Sequence, residues 1–180
     1  IPTVVRNYQE RQVISSTKKF YSQISQAFKM AEIENGSVDT WDWGNAWSVE
    51  SAEKILDKIE PYMKITKKCG RNKGCFWNGD YKNLNGNTVW TNPETNGEYA
   101  KARLADGMSF FIVLTQSNCA TGVCGNVDVD INGDKKPNQV GRDVFHFIIQ
   151  KNGSIVPNGL GVDLSTRCSK TSDSAYSGHA

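Results

Sequence analysis

No stretch of this 180-residue chain approaches the about 20 consecutive apolar residues that a membrane-spanning helix requires. No signal peptide opens it. An excess of one charge is missing too: 21 Lys and Arg against 19 Asp and Glu leave +2, which gives no bulk drive toward nucleic acid or acidic partners. Histidine is sparse, at two residues. Gly-x-Ser-x-Gly, a phosphate-binding glycine loop and His-Glu-x-x-His are all absent. His146 lies inside the apolar run Phe145-His146-Phe147, where a hydrogen-bonded ring is the ordinary state, and His179 lies at the tail. These absences leave no nucleophile–base pair. The chain reads as a non-enzyme with no small-molecule substrate and no catalytic residues.

What is present fits one globular domain: 38% hydrophobic and 22% charged residues can build a real core. Five cysteines speak about compartment. Cys69 and Cys75 flank one short loop, and Cys119 and Cys124 flank another. Both pairs suit local disulfides and an oxidising environment. The competing zinc reading wants Cys-x-x-Cys spacing and a placed histidine, and neither pair has them. Cys168 is left over, which suggests either a partner elsewhere or a buried thiol.

The first 36 residues read as one helix. Val13, Thr17, Phe20, Tyr21, Ile24, Ala27, Phe28 and Ala31 recur at three-then-four spacing and share one face, while Lys18, Ser22, Ser25 and Lys29 fall opposite. Glu34-Asn35-Gly36 supplies a stop. Such a helix would run to about 50 Å. Ile1-Pro2-Thr3-Val4-Val5 is apolar and has no N-cap, so the helix is expected to continue from a longer chain.

Beyond Gly36 the pattern changes. Trp41, Trp43 and Trp47 read as packing anchors. Ser48 is a plausible N-cap for a helix from Val49 to about Tyr62, with Ala52, Ile55, Leu56 and Ile59 on its apolar face. Residues 66–99 are loop-rich, with Trp77, Tyr81 and Trp90 to fold around. Strands are expected over 99–104, 108–114, 127–131, 144–150 and 154–156, and residues 164–180 as a Ser/Thr-rich end. The class is therefore α+β, with a long N-terminal helix packed on a small antiparallel sheet and disulfide-stapled loops. The helix covers residues 1–36 and the head residues 37–180.

Two polar groups stand out. In Asp128-Val-Asp130-Ile-Asn132-Gly133-Asp134, alternation puts Asp128, Asp130 and Asn132 on one strand face. With Asp134 and Asp143 they offer a candidate calcium site, although the twelfth position is Gln139, not the Glu of an EF-hand. The alternative is a solvated strand face followed by a turn whose Asn and Asp side chains bond local backbone. Lys64, Lys67, Lys68, Arg71 and Lys73 with Trp77 and Tyr81 could bind single-stranded nucleic acid, but a solvated loop explains them more simply.

The chain resembles bacterial type IV pilin-like proteins, the group that includes type II secretion pseudopilins. The likeness rests on Ile1-Pro2-Thr3-Val4-Val5, on Lys18-Lys19-Phe20-Tyr21-Ser22-Gln23-Ile24-Ser25-Gln26-Ala27, on Glu34-Asn35-Gly36, and on the segment from Asp128 to Phe145. It covers most of residues 1–36 and 125–160. The resemblance implies a spine helix on an antiparallel sheet and a structural role in a helical filament, with Val4, Val5 and Tyr8 in the filament core. It implies other copies or related pilins and an inner-membrane assembly machinery as partners, and the cell surface, periplasm or exterior as the location. A membrane-embedded helix half would precede Ile1, making Pro2 a kink in a longer spine. The family pattern also implies a further cysteine after a segment similar to Ser177-Gly178-His179-Ala180, which would pair Cys168. Calcium binds a loop near the C-terminus in some pseudopilins. The other role open within the group is a minor pilin that acts at the filament tip as an adhesin or DNA-binding module.

Overall fold

The computed structural model describes residues 2–89 and 91–158, with side chains described from Arg6 onward. Trp90, Cys168, His179, the expected 164–180 end and the side chains of Val4 and Val5 lie outside the described residues.

Helix α1 runs Pro2–Asn35. It stops where Gly36 takes φ +79°, the left-handed conformation that a residue with a Cβ resists. A 3-10 turn, Val38–Thr40, leads to α2, Val49–Ile59. Ser48 caps α2, its Oγ accepting from the Ser51 N–H at 3.3 Å. The expected helix to Tyr62 ends early because Pro61 cannot supply the next i→i−4 bond, and the chain tightens into a 3-10 turn, Glu60–Tyr62.

Among the described residues six strands follow: β1 Ile65–Gly70, β2 Ala100–Leu104, β3 Ser109–Leu114, β4 Val123–Asp130, β5 Val144–Gln150 and β6 Ile155–Pro157. They form one sheet in the order β1-β2-β3-β4-β5-β6, each pairing antiparallel with the next. This corrects the expected small pilin-like sheet: α+β holds as the class, but the six-stranded meander is larger. The added strand, β1, begins what the sequence reads as loop, because Lys67 and Lys68 on an edge strand give no apolar alternation.

Alternation along the strands gives the sheet two different faces. Ala100, Ala102, Phe110, Ile112, Val127, Val129, Phe147 and Ile149 pack with both helices in the main core. From α1, Phe20, Ile24, Ala27, Phe28 and Ala31 enter that core. Phe20 meets Phe110 and Phe147, with ring centres 5.7 and 6.0 Å away. Tyr21 is partly exposed but stacks on Phe147 at 5.8 Å, and Val13 is half-buried. Trp41 and Trp43 belong to the core, whereas Trp47 does not.

The opposite face carries Lys101, Phe111, Val113, Asp128 and Asp130, and it is not solvated. Residues 71–89, 91–99 and 132–143 cover it, and a second apolar cluster of Cys69, Cys75, Phe76, Tyr81, Phe111, Val113, Val140 and Val144 seals it.

Candidate functional site

The disulfides come first, because they shape the covering layer. Cys69–Cys75 and Cys119–Cys124 are both formed. The first closes the turn where β1 leaves the sheet. Glu94 reaches back to that turn and accepts from the N–H groups of Gly74 and Phe76, at 2.5 and 2.9 Å. Lys101 is fully buried beneath it, and its ammonium donates to the carbonyls of Arg71, Glu94 and Asn96 at 2.9, 3.0 and 2.9 Å. Desolvation holds that ammonium below the ordinary lysine range. Two formed disulfides place the described chain in an oxidising, extracytoplasmic environment. Among the described residues, no helix is long and apolar enough to cross a membrane.

The five candidate calcium residues do not converge on one point. Asp134 swings out to a two-pronged ion pair with Arg103, at 3.0 and 2.8 Å. Asp128 turns to His146, whose Nδ1 lies 2.5 Å from Oδ2. Asp130, Asn132 and Asp143 stay together. Asp130 Oδ1 accepts from the Asn132 and Gly133 N–H groups at 3.1 and 2.9 Å, and its Oδ2 accepts from the Tyr81 hydroxyl at 3.0 Å. Asp143 accepts from the Asn138 and Gln139 N–H groups at 2.7 and 2.5 Å and from the Asn132 amide at 3.1 Å. Among the described residues, no group of three or more His, Cys, Asp or Glu side chains could hold a metal ion. The two carboxylates act as anchors that tie the 132–143 loop to β4.

Burial, with the nearby Asp143 charge, pushes the Asp130 carboxyl up to about 7. Burial raises Asp143 as well. Tyr81 is held above the ordinary phenol range, first by burial and then by the Asp130 charge.

Three of the five cations of the basic run are engaged. Lys68 pairs with Asp57 and Glu60, Arg71 pairs with Glu50, and Lys67 donates to the Gly74 carbonyl. Tyr81 is buried and so presents no stacking face.

A cavity of about 290 Å³ opens between the covering layer and strands β3–β5. Asp128, His146 and Asn126 line one side of it, and Tyr99 and Phe111 line another. The two rings stack face to face, with centres 4.0 Å apart and planes 4° from parallel. Burial and the Asp128 charge raise the Tyr99 phenol. At the rim stands Trp47, 53% exposed. Its φ is +57°, a left-handed conformation that costs a bulky residue about 1–3 kcal/mol. The bond from its N–H to the Leu114 carbonyl, 2.8 Å, fixes it there.

The model of the family of unknown function DUF6613 matches residues 3–155. The chain belongs to that family. No curated protein and no solved structure matches it. The matched span in this DUF6613 chain takes in all of α2, α1 from Thr3 onward, both disulfides and the cavity.

Residues that sequence reasoning passed over matter here: Lys101, Tyr99, Phe111 and the cavity side of Trp47. One signal was available for the Asp128–His146 pair. Once apolar alternation aligns β4 with β5, Asp128 falls directly opposite His146.

Proposed function

We propose that this DUF6613 chain is the head and lower spine helix of a pilin- or pseudopilin-type filament subunit, working at the cell surface or in the periplasm. The division of α1 into two halves carries this reading. From Phe20 to Ala31 the helix builds the core, while Arg6 to Lys19 are mostly exposed. That outer half still presents large apolar side chains, with Tyr8 62% and Ile14 53% exposed. A helix that holds its own sheet at one end and offers apolar groups at the other suits packing against identical helices. Formed disulfides agree with an exported location. The partners would be other copies or related pilins, together with an inner-membrane assembly machinery. The reading rests on the helix and not on the size of the sheet.

The test is cysteine cross-linking in cells that express the whole gene. With Tyr8→Cys and Ile14→Cys, oxidation is expected to yield ladders of covalent multimers in a sheared filament fraction. A gene that encodes no apolar segment of about 20 residues ahead of Ile1, or monomer alone in every fraction, would sink the proposal.

A further inference from the structure

The cavity between β3–β5 and the covering layer has the wrong chemistry for a sealed packing defect. Its walls are divided. Tyr99 and Phe111 supply a stacked aromatic wall, and Asp128, His146 and Asn126 supply a polar one. Asp128 is almost fully buried, yet its Oδ1 has no hydrogen-bond partner among the described residues. Its Oδ2 is already taken by His146. A buried carboxylate oxygen left in that state calls for a further donor, which a bound ligand can supply.

Trp47 adds an independent observation. Core packing does not explain its left-handed backbone, since the side chain is more than half exposed. Strained backbone clusters at ligand clamps and other functional sites, and here it holds an aromatic ring at the mouth of a cavity.

The lining also narrows the ligand. Glu98 and Asp128 line the cavity, and no lysine or arginine does so among the described residues, which disfavours phosphate, sulfate and carboxylate ligands. A wholly apolar guest would leave Asp128 Oδ1 unsatisfied. At about 290 Å³ the space lies at the lower end for small-molecule sites, enough for one ring. We infer that the cavity holds a single neutral sugar ring, its C–H face against the aromatic groups and its hydroxyls donating to Asp128. A saccharide combines an apolar face with several donors, which matches the two walls. A primary ammonium is the rival ligand.

The inference goes beyond the filament reading, and the two fail separately, since this test needs only the folded chain. Glucose, galactose and N-acetylglucosamine are titrated into it in turn, and amide and indole N–H signals are followed by NMR. At least one sugar is expected to bind in the millimolar range and to shift the Trp47 indole together with the amides of Tyr99, Asn126 and His146. Trp47→Ala and Asp128→Asn are each expected to weaken that sugar at least tenfold with the fold unchanged by circular dichroism. Trp47 is exposed and Asn is isosteric with Asp, so neither variant threatens folding. Silence from all three sugars overturns the inference, as does unchanged affinity in both variants. Shifts from propylammonium with none from the sugars also overturn it and assign an ammonium site.

Discussion

The Tyr81 hydroxyl donates to Asp130 across 3.0 Å, joining the middle of the covering layer to the end of β4. The same oxygen accepts the Trp77 N–H at 3.3 Å. One phenol therefore links a loop backbone, an aromatic cluster and a buried carboxyl.

That carboxyl makes stability depend on pH in an unusual direction. An unfolded aspartate titrates near 3.9, whereas Asp130 in the fold is raised to about 7. Between those values the folded chain keeps a proton that the unfolded chain releases. The contribution of Asp130 is therefore fully present below about pH 4 and is lost as pH rises to about 7, with a ceiling of roughly 4 kcal/mol. Asp143, raised in the same direction, adds to the trend. Denaturant titrations from pH 4 to 8 should show wild type losing stability relative to Asp130→Asn. A constant difference between the two across that range would refute the assignment.

Lys101→Met should be among the most damaging single changes in the chain. It removes the ammonium that three carbonyls share, that of Glu94 buried and those of Arg71 and Asn96 part-buried, and leaves those acceptors without it. Each such group costs about 1–3 kcal/mol, so a loss of about 3 kcal/mol or more is expected. Hydrogen exchange should accelerate first over residues 71–96 and leave α1 protected. Uniform acceleration everywhere would show that Lys101 supports the fold as a whole and not this layer.

Paired replacement of Cys69 and Cys75 by Ser should cost about 2 kcal/mol, the chain-entropy value for so short a loop. Intact mass after denaturation, with and without reductant, should differ by the hydrogens of two bonds in the wild type and of one in the variant. The cost should show as a lower midpoint with an unchanged denaturant slope, and an equal midpoint would contradict the expectation.

The two halves of α1 should respond differently to truncation. Phe20→Ala opens a hole between Phe110 and Phe147 and should cost about 3–5 kcal/mol. Tyr8→Ala, on the exposed half, should leave the unfolding midpoint of the chain within about 0.5 kcal/mol of wild type. Comparable losses at both positions would mean that the outer half is anchored to the head.

Much of the helical face was legible because helices write their environment at a 3.6-residue period. Phe20, Ile24, Phe28 and Ala31 could be aligned without knowing what they touch, and Gly36 marked the stop. The short spacing of the cysteines likewise suggested local disulfides. Alternation could show that Asp128 and Asp130 share a face, but not that a second layer would cover it. That layer has no period. It is held by single long-range contacts, such as Glu94 to the Gly74 N–H and Tyr81 to Asp130, which leave no local pattern in the chain. The five acidic and amide residues read as one group because all fall within residues 128–143. In the fold Arg103 and His146, from other strands, draw two of them away.

The meander has a consequence for the order in which the molecule assembles. Every strand pairs with its immediate successor, so each hairpin can close as soon as its second strand is available. Helix α1 is the exception. It is first in the chain, yet Phe20 and Tyr21 rest on Phe147 of β5. The Phe20–Tyr21 end of its apolar stripe therefore stays partly uncovered until β5 is in place, whereas Phe28 can close on Trp41 early, and the head certifies its own completion by shutting that end away.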